Sequence, residues 1–313
     1  MRDDANRTAD GIVVVGSSMV DLITYIRRAP LAGETLTGSD FRIGAGGKGA
    51  NQAVMAARLG SAVSFVGRVG SDAFAQLTFD ALRAEAIDIE QLRSVPGPSG
   101  VASIWVEEDG ANRIAIVAGA NDTLDADSTR AAIAARSGTA LVLAQLETPQ
   151  EATIAAFAQA HEQGAVTVLN PAPWAPLERA LIAESDWIVP NEHEFAELAR
   201  SLGIEPGDAG EHAINGVAAE LGTSVVVTRG DRDVVIAHGG ESTVVPVESV
   251  AAVDTTGAGD AFVGAFAHGL AGGMEPVRAA EIAARCATAS VLRHGTQTSF
   301  PTSDEIAALL DRA

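Results

Sequence analysis

Short β-branched apolar runs alternate along the chain with longer alanine-rich segments. The apolar run at residues 12–15 ends at a glycine and predicts a buried strand. The alanine-rich segment at residues 50–59, also stopped by a glycine, predicts a helix. A strand at residues 62–66 and a helix at residues 72–84 follow.

The alternation becomes regular after residue 125. Four apolar runs predict strands, at residues 140–146, 166–169, 187–189 and 225–227. Strands that alternate with helices indicate a parallel sheet with helices on both faces. The last third of the chain, after residue 257, is predicted to be mostly helical.

Two segments depart from this pattern. Residues 22–43 contain short apolar pairs, Pro30 and several threonines, and predict two or three short antiparallel strands. Residues 100–107 and 112–117 predict a hairpin around a turn at residues 108–110. We therefore expect one large domain with a small β-rich appendage.

The charge and the cysteine content exclude several classes of function. The 313 residues include 41 acidic and 21 basic side chains, a formal charge of −20. Such a surface repels phosphates, so neither nucleic acid nor a membrane is an expected partner. The single cysteine, Cys286, and the polar residues 1–10, which lack a secretory signal, favour a cytoplasmic location. No apolar run is long enough for a transmembrane helix.

Polar residues follow four consecutive predicted strands. Glu147, Asn170, Asn191 and Thr228 each stand at or just past a carboxyl end. One such residue is usually a helix cap or a turn former, but four favour a shared cleft, because ligands bind beyond these ends in open α/β sheets.

The glycine-rich segment GAGGKG at residues 44–49 matches the letters of a dinucleotide-binding motif. It does not follow the first strand, and no acidic residue stands about twenty positions later in the ribose-binding role. It is not a P-loop, because Lys48 is followed by Gly49 instead of serine or threonine. The segment predicts a tight turn before a helix, where Lys48 faces an anionic or hydroxyl-rich ligand.

The segment DTTGAGDAF at residues 254–262 precedes a predicted helix at residues 261–270. The amides of residues 257–260 would point outward at the positive end of that helix, forming an anion hole for a phosphate. Asp260 is either an acidic residue favoured by the helix dipole or a general base that takes a proton from an attacking hydroxyl.

Taken together, these two segments resemble the two signatures of the ribokinase family of carbohydrate kinases. The signatures are GGKGANQA at residues 46–53 and DTTGAGD at residues 254–260, and the resemblance runs from about residue 12 to about residue 301. Three further segments are most similar to ribokinases: QLE at 145–147, NPAP at 170–173 and GTQ at 295–297.

The resemblance implies an α/β fold, a three-layer αβα sandwich with a mainly parallel central sheet. Residues 1–313 would form a single domain, with a small β-sheet lid at roughly residues 20–45 and 98–120. The family's reaction is ATP-dependent phosphorylation of D-ribose at O5 to D-ribose 5-phosphate, and its lids often pack together in a homodimer.

The resemblance also implies roles for individual residues. Asp260 matches the catalytic base, and the anion hole matches Gly257, Ala258 and Gly259. The substrate-binding positions are Met19, Asp21, Gly47, Lys48, Gly49, Asn51, Glu147 and Asp260. The ATP-binding positions are Asn191, Thr228, Arg229, Gly230, Asp231, Asp233 and Gly259. The positions for an activating monovalent cation, usually K⁺, are Asp254, Thr256, Ser290, Arg293, Gly295 and Ser299.

Glu194 has two interpretations. By itself it would be an exposed residue in the first turn of a helix. Its spacing from Asn191 matches the family's Asn-x-x-Glu element, which is linked to the Mg²⁺ that accompanies ATP and to phosphate.

Met19 departs from many bacterial ribokinases, which have an asparagine there that bonds a sugar hydroxyl near C2. A thioether accepts hydrogen bonds only weakly and cannot donate them. Met19 either fills the core or relaxes discrimination against 2-deoxyribose, so a 2-deoxyribose kinase or another sugar or nucleoside kinase of the family is an alternative function.

Two rivals come from other classes. A nicotinamide dehydrogenase would use the glycine segment at 44–49, and the misplaced motif argues against it. A non-catalytic sugar sensor would not need Asp260 and its neighbouring glycines.

Overall fold

The computed structural model describes residues 11–108 and 112–310. The strands, in chain order, are β1 (Gly11–Val15), β2 (Met19–Ile26), β3 (Asp40–Gly46), β4 (Val63–Val69), β5 (Leu92–Ser94), β6 (Gly100–Glu107), β7 (Asn112–Val117), β8 (Thr139–Ala144), β9 (Val166–Leu169), β10 (Trp187–Ile188), β11 (Ser224–Arg229), β12 (Arg232–His238) and β13 (Glu241–Val245). The helices are α1 (Lys48–Arg58), α2 (Ala73–Ala84), α3 (Ala126–Ala134), α4 (Gln150–Glu162), α5 (Arg179–Ala183), α6 (Glu192–Ser201), α7 (Glu211–Leu221), α8 (Ala258–Ala271), α9 (Pro276–Ser290) and α10 (Ser303–Leu310).

The large sheet has the strand order β13-β12-β11-β10-β9-β8-β1-β4-β5. The pairs from β11 to β5 are parallel, whereas β12 and β13 are added antiparallel at one edge. Because the strands end at the same edge, the residues after β8, β9 and β10 come close together, as predicted.

Alternating side chains of the central strands divide the core into two layers. In β8, Leu141 and Leu143 pack with α1, α8 and α9, while Val142 and Ala144 pack with α3, α4, α6 and α7. A strand covered on both faces needs apolar residues at every position, which explains the continuous runs in the sequence. The predicted three-layer αβα arrangement is confirmed.

A second sheet, with the order β3-β2-β6-β7, forms the lid. Strands β2 and β3 are antiparallel, β6 and β7 are antiparallel, and β2 and β6 are parallel. The predicted hairpin therefore corresponds to β6 and β7, and residues 109–111 between them lie outside the described residues.

Asn121 fixes the lid to the large sheet. Its Oδ1 accepts from the backbone N–H of Ser18 at 3.1 Å, and its Nδ2 donates to the carbonyl of Ser18 at 2.9 Å. Ser18 directly precedes β2, so this fully buried amide holds the point where the chain enters the lid.

Both signature helices begin earlier than the sequence predicted. Helix α1 begins at Lys48 instead of residue 50, and α8 begins at Ala258 instead of residue 261. The preceding glycines, Gly47 and Gly257, have φ values of 90° and 79°, which glycine adopts without strain. Lys48 and Asp260 consequently lie in the first turns of two helices.

None of the helices in the described part of the chain combines the length and hydropathy that crossing a membrane requires.

Candidate active site

Helices α1 and α8 bring the two glycine-rich segments together. A Cβ at Gly264 in α8 would lie against the carbonyl oxygen of Gln52 in α1, so only glycine permits this close approach. Lys48 and Asp260 line one cavity of about 170 Å³, and Asn191, Glu194 and Thr228 also line it. The residues predicted from separate motifs thus meet at the carboxyl edge of the large sheet.

Asp260 is buried, and amides hold both of its carboxylate oxygens. Oδ2 accepts from Asn51 Nδ2 at 2.8 Å, and Oδ1 accepts from Gln52 Nε2 at 3.0 Å. Asn51 Oδ1 accepts in turn from Gln297 Nε2 at 3.0 Å. The two N–H donors thus fix the direction of the Asp260 carboxylate.

Lys48 and Glu147 bring two opposite charges together at the start of α1. Glu147 Oε2 accepts from the backbone N–H of Lys48 at 2.9 Å and from Ser17 Oγ at 2.5 Å. Burial raises the pKa of Glu147, although Lys48 and Ser17 oppose that shift. The carboxylate of Asp260 raises the pKa of Lys48 against the opposing effect of burial, so the ammonium stays charged.

Asp21 is a buried carboxyl on the inner face of β2, opposite Gly44 and next to Gly46. A Cβ at Gly46 would overlap with its carboxylate, so glycine leaves the room that Asp21 occupies. Burial raises the pKa of Asp21 to about 7, and the charges of Glu147 and Asp260 add to the shift.

The start of α8 presents backbone amides to the cavity. Gly257 and Gly259 line the cavity, and the first amides of any helix have no partner within the helix. The amide of Ala258 donates to the carbonyl of Thr255 at 3.3 Å. In this conformation the Ala258 amide has a partner in the preceding loop, and its place in the anion hole stays a prediction.

Asn191 and Glu194 form a capping box at the start of α6. Asn191 Oδ1 accepts from the N–H of Glu194 at 2.9 Å, and Glu194 Oε2 accepts from the N–H of Asn191 at 2.8 Å. Glu194 is buried and lines the cavity, so the exposed alternative is wrong. Burial raises the pKa of Glu194.

The predicted ATP-binding turn after β11 divides into two groups. Thr228 and Gly230 line a neighbouring cavity of about 460 Å³, which shares Asn191 and Thr228 with the Asp260 cavity. Arg229 Nε instead donates to the carbonyl of Asp233 at 2.7 Å. Asp233 Oδ1 accepts from the N–H of Val247 at 3.1 Å, and Asp231 is exposed. In this conformation Arg229 and Asp233 therefore shape the turn.

The predicted cation positions come together in two adjoining loops. Asp254 Oδ1 accepts from the N–H of Thr256, and Oδ2 accepts from the N–H of Gly295, both at 2.9 Å. Burial would raise the pKa of Asp254, but these amides lower it. Ser290 and Ser299 are buried, with hydroxyls that donate to the carbonyls of Ala287 and Thr296. Arg293 Nη2 donates to the carbonyl of Ser299 at 3.0 Å and also pairs with Glu305.

Three predicted sugar contacts lie at the junction of lid and sheet. Gly47 caps α1, and Met19 is buried opposite Gly46. Gly49 is buried so tightly that a Cβ would lie 2.7 Å from the backbone nitrogen of Ser17. Glycine at position 49 therefore permits this close packing, and its contact with the sugar stays a prediction.

Three residues of this network were not singled out from the sequence: Ser17, Gln52 and Gln145. Gln52 is in the first signature, directly after Asn51, and Gln145 precedes Glu147 by two positions. Their place within the motifs was a usable signal, but their partners come from distant segments of the chain.

Comparisons with known proteins agree with this geometry. The family model described as pfkB family carbohydrate kinase matches residues 9–303. The chain is 38% identical to a ribokinase of Schizosaccharomyces pombe, over 94% of this chain and 96% of the relative. It is 37% identical to a deoxyribokinase of Salmonella typhi, also over 94% and 96%. The structure of Arabidopsis thaliana ribokinase complexed with ribose and ATP matches with a TM-score of 0.85 at 30% identity, over 97% of this chain and 99% of that chain.

Proposed function

Since the chain belongs to the pfkB family of carbohydrate kinases, we propose that it transfers the γ-phosphoryl group of ATP to O5 of D-ribose. The products are D-ribose 5-phosphate and ADP. The observation that carries the proposal is the buried Asp260 carboxylate, which shares one cavity with Lys48 and the first amides of α8. The ribokinases among the relatives support ribose as the sugar.

In the proposed reaction, Asp260 accepts the proton of the 5-hydroxyl as that oxygen attacks the γ-phosphorus. The bond between the γ-phosphorus and the oxygen bridging it to the β-phosphate breaks, and ADP leaves. The amides of Gly257, Gly259 and Asp260 face the charge that develops on the phosphoryl oxygens, and Lys48 adds a positive charge in the same cavity.

The sugar would lie between the inner face of β2 and the start of α1. Asp21, Lys48, Asn51 and Glu147 supply acceptors and donors for separate hydroxyls. Asn51 keeps one N–H for a hydroxyl, because Asp260 uses only the other. A polyol loses water from each hydroxyl when it is enclosed, so a site with several fixed polar groups suits it.

Two ions belong to the proposal. Mg²⁺ would arrive with ATP and neutralise charge on the phosphates. The carboxylate of Glu194 borders the same cavity as Asp260, so it is suited to orient the water ligands of that Mg²⁺. A monovalent cation such as K⁺ would bind at the loops of Asp254 and Gly295, mostly through carbonyl oxygens. Such an ion would hold the residues before α8, and hence the anion hole, in place.

A second substrate, 2-deoxyribose, is favoured by one observation. The apolar side chain of Met19 is buried next to Asp21, and one relative is a deoxyribokinase. We propose that the enzyme accepts both sugars, with ribose as the main substrate.

We also propose a homodimer that forms through the lids, and a cytoplasmic location. The outer face of the lid supports the dimer, because it exposes Phe41, Ile43, Trp105 and Val117. The buried thiol of Cys286, whose pKa burial raises to about 12, suits a reducing compartment.

A panel of sugars with an ADP readout tests the proposed function. We expect strong ADP formation with D-ribose, weaker formation with 2-deoxyribose, little with hexoses, and faster turnover with K⁺ than without it. Asp260→Asn should fold normally but lower kcat by roughly 10²–10⁴-fold, the usual contribution of a general base. Absence of sugar-dependent turnover, or near-normal kcat in Asp260→Asn, would contradict the assignment.

A further inference from the structure

Gln52 contacts the proposed base but uses both of its N–H groups within the protein. Nε2 donates to Asp260 Oδ1 and to Asn170 Oδ1, each at 3.0 Å, and Oε1 accepts from Gln145 Nε2 at 2.6 Å. The side chain is fully buried. It therefore has no donor left for a sugar hydroxyl, unlike its neighbour Asn51.

The orientation of the Gln52 amide follows from a main-chain carbonyl. Asn170 Nδ2 donates to the carbonyl of Val189 at 2.8 Å, so Asn170 must direct its oxygen toward Gln52. The carboxylate of Asp260 and the side-chain oxygen of Asn170 are both acceptors, so Gln52 can bond to both only through the N–H groups of Nε2. Its oxygen then faces Gln145. The carbonyl of Val189 can only accept, so it fixes the orientation of the Asn170 amide. Asn170 in turn fixes Nε2 as the atom of Gln52 that faces Asp260.

We propose that Gln52 is a positioning residue that fixes the direction of the Asp260 carboxylate. This inference rests on the proposed function, in which Asp260 takes the proton of the sugar hydroxyl. Asn51 donates to Oδ2 and Gln52 donates to Oδ1, so the two amides together keep the carboxylate from rotating about its Cβ–Cγ bond. Without the Gln52 donor only one of these restraints would remain, and the base would be held less firmly toward the hydroxyl.

Gln52→Met tests this role, because it keeps the approximate volume and removes the donor. We expect kcat for ribose phosphorylation to fall roughly ten- to hundredfold, as for loss of a hydrogen bond to a charged group, with little change in KM for ATP. KM for ribose should also change little, because a misdirected base impairs the chemical step while Asn51 keeps its own contact with Asp260.

Gln52→Glu provides a second test with almost unchanged shape. Its side chain would place an oxygen instead of an N–H group against Asp260 Oδ1 and the oxygen of Asn170, so it would remove the donor and repel the base. We expect kcat to fall at least as far as in Gln52→Met. If Gln52→Met does not fold, this variant decides the question.

Gln145→Met is the matched control, because it removes a buried amide of the same network that contacts Gln52 but not Asp260. We expect a lower Tm with a kcat close to that of the wild type. The inference is overturned if the Gln52 variants lower Tm but keep the wild-type kcat, or if Gln145→Met lowers kcat equally. Wild-type protein without ribose-dependent ADP formation would instead refute the proposed function, and this inference with it.

Discussion

The buried side chain of Met19 either only fills the core or also affects which sugar the enzyme prefers. It begins β2, is buried, and lies two residues before Asp21. Met19→Asn would add a donor near the sugar, so we expect the ratio of kcat/KM for ribose over 2-deoxyribose to rise by up to about tenfold. Met19→Leu, which stays apolar, should keep the wild-type ratio. An unchanged ratio in Met19→Asn would assign the methionine to core packing alone.

Asp21 predicts a pH dependence of stability. Its pKa is about 7 in the folded protein against 3.8 for an exposed aspartate, so the folded state binds this proton more tightly than the unfolded state does. Its contribution is therefore most favourable below about pH 4 and is lost as pH rises toward 7. Asp21→Asn removes this titration, so its Tm should rise relative to wild type between pH 5 and 8 in thermal melts, while its KM for ribose increases.

Asp127→Asn is the control for this experiment, because Asp127 is an exposed residue at the start of α3. The Tm difference of Asp21→Asn from wild type is compared with that of Asp127→Asn at each pH. A constant difference for Asp21→Asn would mean that the carboxyl of Asp21 is ionised throughout.

At the residue scale, the sequence predicted Asp260 and Lys48 because each stands in a short motif with its own chemical logic. The pKa of Asp21 could not be predicted in the same way. Its environment combines β2, the loop after β8 and the start of α8, and the charges of Glu147 and Asp260 reach it only through the fold.

Among the elements, the strands that are buried on both faces were the easiest to predict. Strand β9 has the predicted bounds, since a continuous apolar run has few alternatives. The antiparallel pair β12 and β13 was not predicted. Its turn contains Gly239 and Gly240, a usable hairpin signal, but an edge hairpin interrupts the regular strand–helix alternation on which the prediction relied.

The close packing of α1 and α8 can be tested at Gly264. In Gly264→Ala, the new Cβ would overlap with the carbonyl oxygen of Gln52 and lie 2.9 Å from Met55 Cβ, so the helices must separate. We expect a loss of about 1–3 kcal/mol in the free energy of unfolding. Because α1 carries Lys48, Asn51 and Gln52, kcat should also fall, by about tenfold or more. Denaturant titration and steady-state kinetics measure the two effects.

Gly216→Ala in α7 is the control for helix propensity. A Cβ at Gly216 would meet open space beyond the backbone of its own helix, so alanine should stabilise the helix by up to about 1 kcal/mol and leave kcat unchanged. If Gly264→Ala behaves like Gly216→Ala, the separation between α1 and α8 does not control the site.

At the scale of the whole molecule, the lid has two faces with different environments. On the inner face, Ile23, Tyr25 and Ile104 line a cavity of about 250 Å³ together with Asp254 and neighbouring residues of the proposed cation loops. The inner face thus connects the proposed sugar site with the loop before α8. This connection depends on the register of β2 with β3 and β6, which sequence periodicity alone does not determine.

The outer face of the lid leaves apolar side chains in solvent. Strand register places Phe41, Ile43, Trp105 and Val117 on this face, with exposed fractions of 55%, 50%, 38% and 58%. A contiguous patch of this kind is typical of an interface, and two identical lids can cover each other around a twofold axis.

Glutamate at two of these positions should prevent the lids from pairing. We expect light scattering to give the mass of a dimer for wild type and of a monomer for Ile43→Glu/Trp105→Glu, since pairing would bury unpaired charges. The released lid would hold the sugar less firmly, so KM for ribose should rise more than KM for ATP. Val244→Glu is the control, because Val244 is 38% exposed on β13, the opposite edge strand of the large sheet from β5, and this variant should remain dimeric. A monomeric wild type, or a double variant that stays dimeric, would contradict pairing through this face.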